Sequence, residues 1–213
     1  MNMKKIINRL VSHKNNKFDL LLFTGLTSNL FYSISYPIIH TVCVKDLSSN
    51  LLSFSALISS IFAIIVTQLW LKYSDKLYEY FGVFLSLEGI TFGLLLIGFL
   101  LNKVTPATYY VMDCVLTSII TRNIISGGNR LKAIRYRDEE REIFDNKGTL
   151  YCNVASIIGF SFSSMYTLNT SIAFIFMWIG IVVDNFFYYV VYKEENKNYK
   201  EKDNEETKDI LIK

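Results

Sequence analysis

Four ionisable side chains stand inside long apolar stretches of this chain: Glu88, Asp113, Arg122 and Asp184. An ionisable group in hydrocarbon is costly, and where one occurs it faces the protein interior or water, along a substrate or ion path. Asp113 and Arg122 share one stretch and stand nine residues apart, about 13 Å along a helix axis. That is too far for a direct pair, so together they point to a polar lining. Upstream, Thr24, Ser28, Tyr32 and Ser35 recur every three or four residues, which sets them on one helical face. Such a stripe suits a cavity wall and equally suits hydrogen bonds between helices. Catalytic groupings are missing. There is no phosphate-cradling glycine loop, no His–Glu metal helix and no Gly-x-Ser with a distant membrane histidine, and the chain holds two histidines in all. Cys43, Cys114 and Cys152 fall in or beside apolar stretches with no close pair, which implies neither a metal site nor a disulfide framework. We therefore expect no enzyme, no metal and no cofactor.

The elements that carry these residues follow from composition. Of 213 residues, 51% are hydrophobic and 19% charged, below the roughly 25% charge of a soluble domain. The net charge of +3 is too small to suggest nucleic acid. Six apolar blocks, at about 18–41, 50–71, 81–101, 106–127, 149–168 and 171–192, each reach the roughly 20 residues that cross a bilayer as a helix. Long apolar segments in lipid must be helical, because a helix satisfies its own backbone groups. The expectation is an all-α polytopic membrane protein with six transmembrane helices. A basic tail (1–17) precedes the membrane domain (18–192), a charged loop (128–148) interrupts it, and a charged tail (193–213) follows. Gly89 and Gly93 make a Gly-x-x-x-Gly in the third span, a close-packing motif for helices of one bundle or of two chains.

Lysine and arginine set the orientation. Twenty of the 22 fall on one side: the N-terminal tail, the loop after span 2, the loop after span 4 and the C-terminal tail. Only Lys45 and Lys103 fall on the other. The positive-inside rule puts both termini in the cytoplasm, and the basic face can also meet anionic lipid head groups. The Lys-, Asn- and Ile-rich composition is that of an AT-rich genome and points to a bacterial inner membrane.

Six helices, both ends inside, a short inner loop after helix 2 and a long charged one after helix 4: this arrangement resembles one half of a major facilitator superfamily transporter, a bundle of two three-helix repeats. At the end of helix 2 that family carries Gly-x-x-x-Asp-Arg/Lys-x-Gly-Arg-Arg/Lys. In LKYSDKLYEYFG (71–82), Asp75 and Lys76 match its acidic and basic pair, while Leu71, Tyr78 and Glu79 stand where its glycines and first basic residue would be. Arg122 with Gly127 and Gly128 is similar to the family's fourth-helix Arg and Gly, one position out of step. The segment RDEEREIFDNKG (137–148) reads as an amphipathic inner helix, with Arg135–Glu139 and Arg137–Glu140 as helix-spaced pairs. Helix 5 carries Gly159 and no proline, which departs from the drug/proton antiporter motif.

The resemblance implies that helices 1 and 4 line the solute cavity, making Asp113, Arg122, Thr24, Ser28 and Tyr32 the pathway candidates. It implies that Asp75 and Lys76 belong to a gate that latches the inner side, and that Glu88 and Asp184 are peripheral. A half-size transporter of a small solute would need a second bundle, from a homodimer or a separately encoded half. Two other readings stay open: a non-transporting accessory or immunity-type membrane protein, and a truncated remnant of a longer transporter.

Overall fold

The computed structural model describes residues 20–45, 47–136, 138–165 and 169–211, with the side chains of 138 and 198–211 left out. The basic tail at 1–17 lies outside the described residues, as do the edges of two expected spans at 18–19 and 166–168. Among the described residues the chain is all-helical and without strands. Six helices succeed one another. They are α1 (Leu20–Val44), α2 (Ser49–Glu79), α3 (Phe81–Leu100), α4, α5 (Asp138–Met165) and α6 (Thr170–Leu211). The fourth is continuous through three segments, Pro106–Leu116, a π-helical turn Thr117–Thr121 and Arg122–Arg135.

The starts and stops have local causes. Ser48 caps α2 by accepting from the Leu51 N–H at 3.3 Å. Thr105 caps α4 by accepting from the Thr108 N–H at 3.2 Å, with Pro106 in the first turn, where its missing N–H costs nothing. Between α3 and α4, Asn102 takes a left-handed backbone (φ 55°), and the N–H groups of Lys103 and Val104 both donate to the Gly98 carbonyl. That closes the end of α3 in a tight turn.

α2, α3 and the Thr170–Lys197 part of α6 are long and apolar enough to cross a membrane, which marks the chain as a membrane protein. They bury little of that apolar length inside the bundle, 28% at most, and turn residues such as Leu57, Ile64, Ile90 and Leu94 outward. A contiguous apolar exterior of that kind belongs against lipid. α1, α4 and α5 are not among these three. α1 sits innermost, packed along α5 and α6, with Thr24, Ser33 and Ser35 fully buried. It comes so close to α5 that a Cβ on Gly159 would stand 2.8 Å from the Leu30 carbonyl oxygen.

The helices outgrow the expected spans chiefly at the charge-rich end. α2 runs two turns past 71, α4 continues to Arg135, α5 starts at Asp138 and α6 continues to Leu211. Among the described residues the expected loop at 128–148 is therefore almost wholly helical, with its break at Tyr136. The reason is that the apolar count marks only what lipid requires, while Lys, Arg and Glu favour helix beyond it. The same break corrects a second expectation. Tyr136 is extended (φ −117°, ψ 143°), so Arg135 and Glu139 do not share a helix, and Arg135 reaches across the bundle instead. Arg137–Glu140 involves a residue outside those described.

Two apolar cores form, one at each end of the bundle. Near the charge-rich end, Trp70, Tyr78, Phe81, Leu85, Ile124, Leu131, Val191 and Tyr192 pack together, with Phe81 edge-on to Tyr188 and Tyr192. Near the other end, Ile39, Cys43, Leu95, Leu96, Tyr109 and Phe174 form the second core. Between them stand Glu88, Asp113 and Asp184.

Candidate functional site

Between the cores lies a cavity of about 380 Å³, bordered by α1, α3, α4 and α6, in which carboxyls stand among apolar side chains such as Ile124, Met177 and Ile181. α1 supplies Gly25, Ser28 and Tyr32, and α3 supplies Glu88 and Phe92. α4 supplies Asp113, Thr117 and Thr121, and α6 supplies Asp184 and Tyr188. Three carboxyl groups line one space, and no lysine or arginine is among the lining residues.

The three carboxyls are held differently. Glu88 is 5% exposed and has a donor on each oxygen. Thr121 Oγ1 donates to Oε1 at 2.5 Å and Asn185 Nδ2 donates to Oε2 at 2.8 Å. Asn185 also donates to the Leu85 carbonyl at 3.1 Å, so this one side chain ties α3 to α6 while Glu88 ties both to α4. Asp184 has one long contact, from Thr27 Oγ1 at 3.4 Å. The Thr27 hydroxyl lies closer to the Phe23 carbonyl, at 2.8 Å, and has one proton to give. Asp113 has no hydrogen-bond partner among the described residues, and the surface it keeps opens onto the cavity.

α4 positions Asp113 and Thr121 through its π-helical turn, where the Arg122 N–H reaches back five residues to the Thr117 carbonyl. Such turns widen a helix locally and recur at functional sites. α2 braces the turn: Ser59 Oγ donates to the Cys114 carbonyl at 2.9 Å, and Trp70 Nε1 donates to Asn123 Oδ1 at 2.7 Å.

The pathway candidates divide. Asp113, Ser28 and Tyr32 line the cavity. Thr24 does not, because its hydroxyl turns back to the Leu21 carbonyl at 2.7 Å. Arg122 does not either: it is exposed and its Nε donates to Thr67 on α2 at 3.3 Å. Nine residues are about two and a half α-helical turns, which by itself directs Asp113 and Arg122 to opposite sides. Glu88 and Asp184, placed at the periphery by the resemblance, are corrected to the cavity wall. Their depth within the spans was the available signal. The partners Thr121, Asn185 and Thr27 carried no signal of their own.

At the charge-rich end, Asp75 accepts from Arg130 Nη2 at 2.5 Å, while Lys76 is exposed. Lys132 meets Asp145 at 3.1 Å, and Arg135 meets Glu195 at 2.7 Å and Glu194 at 3.9 Å. The last two turns of α4 thus reach α2, α5 and α6 with one basic residue each. Gly89 and Gly93 lie against α6. Trp178 Nε1 donates to the Gly89 carbonyl at 2.9 Å, and a Cβ on Gly93 would stand 2.9 Å from that nitrogen. They also border an apolar depression of about 500 Å³ on the outer face between α3 and α6.

No group of three His, Cys, Asp or Glu side chains able to hold a metal ion occurs among the described residues. Family models, curated proteins and solved structures compared with the chain give no match.

Proposed function

We propose that this chain is a half-size secondary transporter, similar to one six-helix half of the major facilitator superfamily. It would lie in a bacterial plasma membrane with both termini cytoplasmic and move a small solute together with a second bundle. The observation that carries the reading is the carboxyl-lined cavity between the two apolar cores. A membrane protein keeps costly buried carboxyls where a polar species must be met. The Lys- and Arg-rich helix ends support six crossings in alternation. The Asp75–Arg130 pair stands where an inner gate would be, and its exposure suits a contact that forms and breaks as bundles rock.

The test is reconstitution. Purified protein in liposomes should catalyse solute movement that Asp113→Asn and Asp184→Asn abolish at unchanged expression, while Arg122→Gln retains most of it. Equal flux in all three variants would remove the cavity from the pathway.

A non-transporting, partner-binding subunit is the second reading. The outward apolar depression between α3 and α6 favours it. It predicts a stable complex with another membrane protein and no flux.

A further inference from the structure

We propose that the cavity is a binding site for a small organic cation, whose positive charge Asp113 and Asp184 attract from different points of the wall. This deepens the transporter reading and rests on it for the use made of binding, while binding itself is tested apart from transport.

Charge is the first argument. Three carboxyls and no basic residue give the cavity one sign of potential, in a low-dielectric setting where that potential is felt strongly. Hydrogen bonding is the second. Glu88 is satisfied on both oxygens and works as a fixed tie between helices. Asp113 has no donor, and Asp184 shares a distant one. Both carboxyls are half-buried and keep surface toward the cavity, so both can accept from a ligand that brings positive charge and N–H or polarised C–H groups.

Size decides between kinds of cation. The described carboxyls do not converge on a point where a metal ion could be held. They are instead spread around about 380 Å³, near the lower end of the roughly 300–1,000 Å³ of small-molecule pockets. A cation of several heavy atoms fills such a space, and a bare ion does not. Aromatic rings complete the match. Tyr32, Phe92 and Tyr188 border the same space, and ring faces attract ammonium groups.

The experiment measures binding of radiolabelled tetraethylammonium to full-length protein in nanodiscs. Choline and its uncharged isostere 3,3-dimethylbutanol serve as competitors. Saturable binding is expected, displaced by choline and not by the isostere. Asp113→Asn and Asp184→Asn should each weaken binding at least tenfold, and Asp113→Glu should restore it to within a few-fold. Arg122→Gln should bind as wild type does. Thermal unfolding reports whether each variant is folded, and if the Asn variants are not, the isostere comparison and Asp113→Glu carry the test. Absence of saturable binding to folded protein, equal displacement by the isostere, unchanged affinity in both folded Asn variants, or displacement by sodium with choline inert would each overturn the assignment. Binding without flux would keep the cation site and remove the transporter reading. Flux of a solute with no cation binding would do the reverse.

Discussion

Two regions of this molecule treat their carboxyl groups in opposite ways. At the charge-rich end, Asp75, Asp145 and Glu195 each lie within ion-pair distance of a basic residue from the end of α4. Between the apolar cores, Glu88, Asp113 and Asp184 share a cavity to which no basic residue contributes. Helix packing explains the first region, because each pair ties α4 to a different neighbour where charge is cheap to keep. Packing explains only Glu88 in the second. The difference sets apart Asp113 and Asp184 as cavity carboxyls that tie no helices together as Glu88 does.

The largest effect on that contrast should come from Arg135, which is 3% exposed beside Glu194 and Glu195. Arg135→Ala leaves carboxylates facing a buried gap, and breaking such a pair costs about 3–5 kcal/mol. Unfolding in mild detergent should show the loss, and a stability close to wild type would mean that the pairs at this end do not hold the bundle. Next is Glu88→Ala, which strips the acceptor from Thr121 and Asn185. Unsatisfied buried groups cost about 1–3 kcal/mol. The variant should be less stable than Asp113→Asn, whose carboxyl has no donor to lose. The reverse order would erase the distinction between a tying carboxyl and a free one.

Gly127→Ala should follow at about 1–3 kcal/mol, the range for overpacking. Its Cβ would overlap the Phe81 ring, so α4 must draw back from α3. Cysteine cross-linking between these helices measures that separation, and unchanged cross-linking would show that the ring simply turns aside. The smallest effect on stability belongs to Asp75→Asn. The pair with Arg130 is exposed on both sides, and such pairs contribute about 0–1 kcal/mol. Its signature should be a changed flux rate at unchanged melting temperature, and a large fall in melting temperature would make the pair structural.

Much of the helical layout could be read from the chain, because spans are set by length and apolarity. The outer boundaries near 50, 106 and 171 fall within a residue of the helix starts. The inner boundaries were less legible, since charged helix formers extend a helix without adding to its apolar length. Of the site, Asp113, Ser28 and Tyr32 were visible as polar residues in apolar surroundings. Arg122 lies outside the cavity, as the α-helical repeat directs for a residue nine positions from Asp113. Glu88 meets Thr121 and Asn185 across 33 and 97 residues, a contact that no local pattern encodes. Asp184 joined the cavity only once α6 was packed against α1.

One helix passes through both regions, and its π-helical turn at Thr117–Thr121 lies in the cavity wall. On one side of it α4 carries Asp113 to the cavity, and on the other it carries Arg130, Lys132 and Arg135 to three neighbouring helices. A π turn holds one more residue per hydrogen-bonded loop than an α turn does. Passing that residue on would swivel one segment against the other by about 100°. The turn is a joint that sets the rotational offset between two held segments, one fixed by Tyr109 in its apolar core and by Ser59 on the Cys114 carbonyl, the other by three ion pairs.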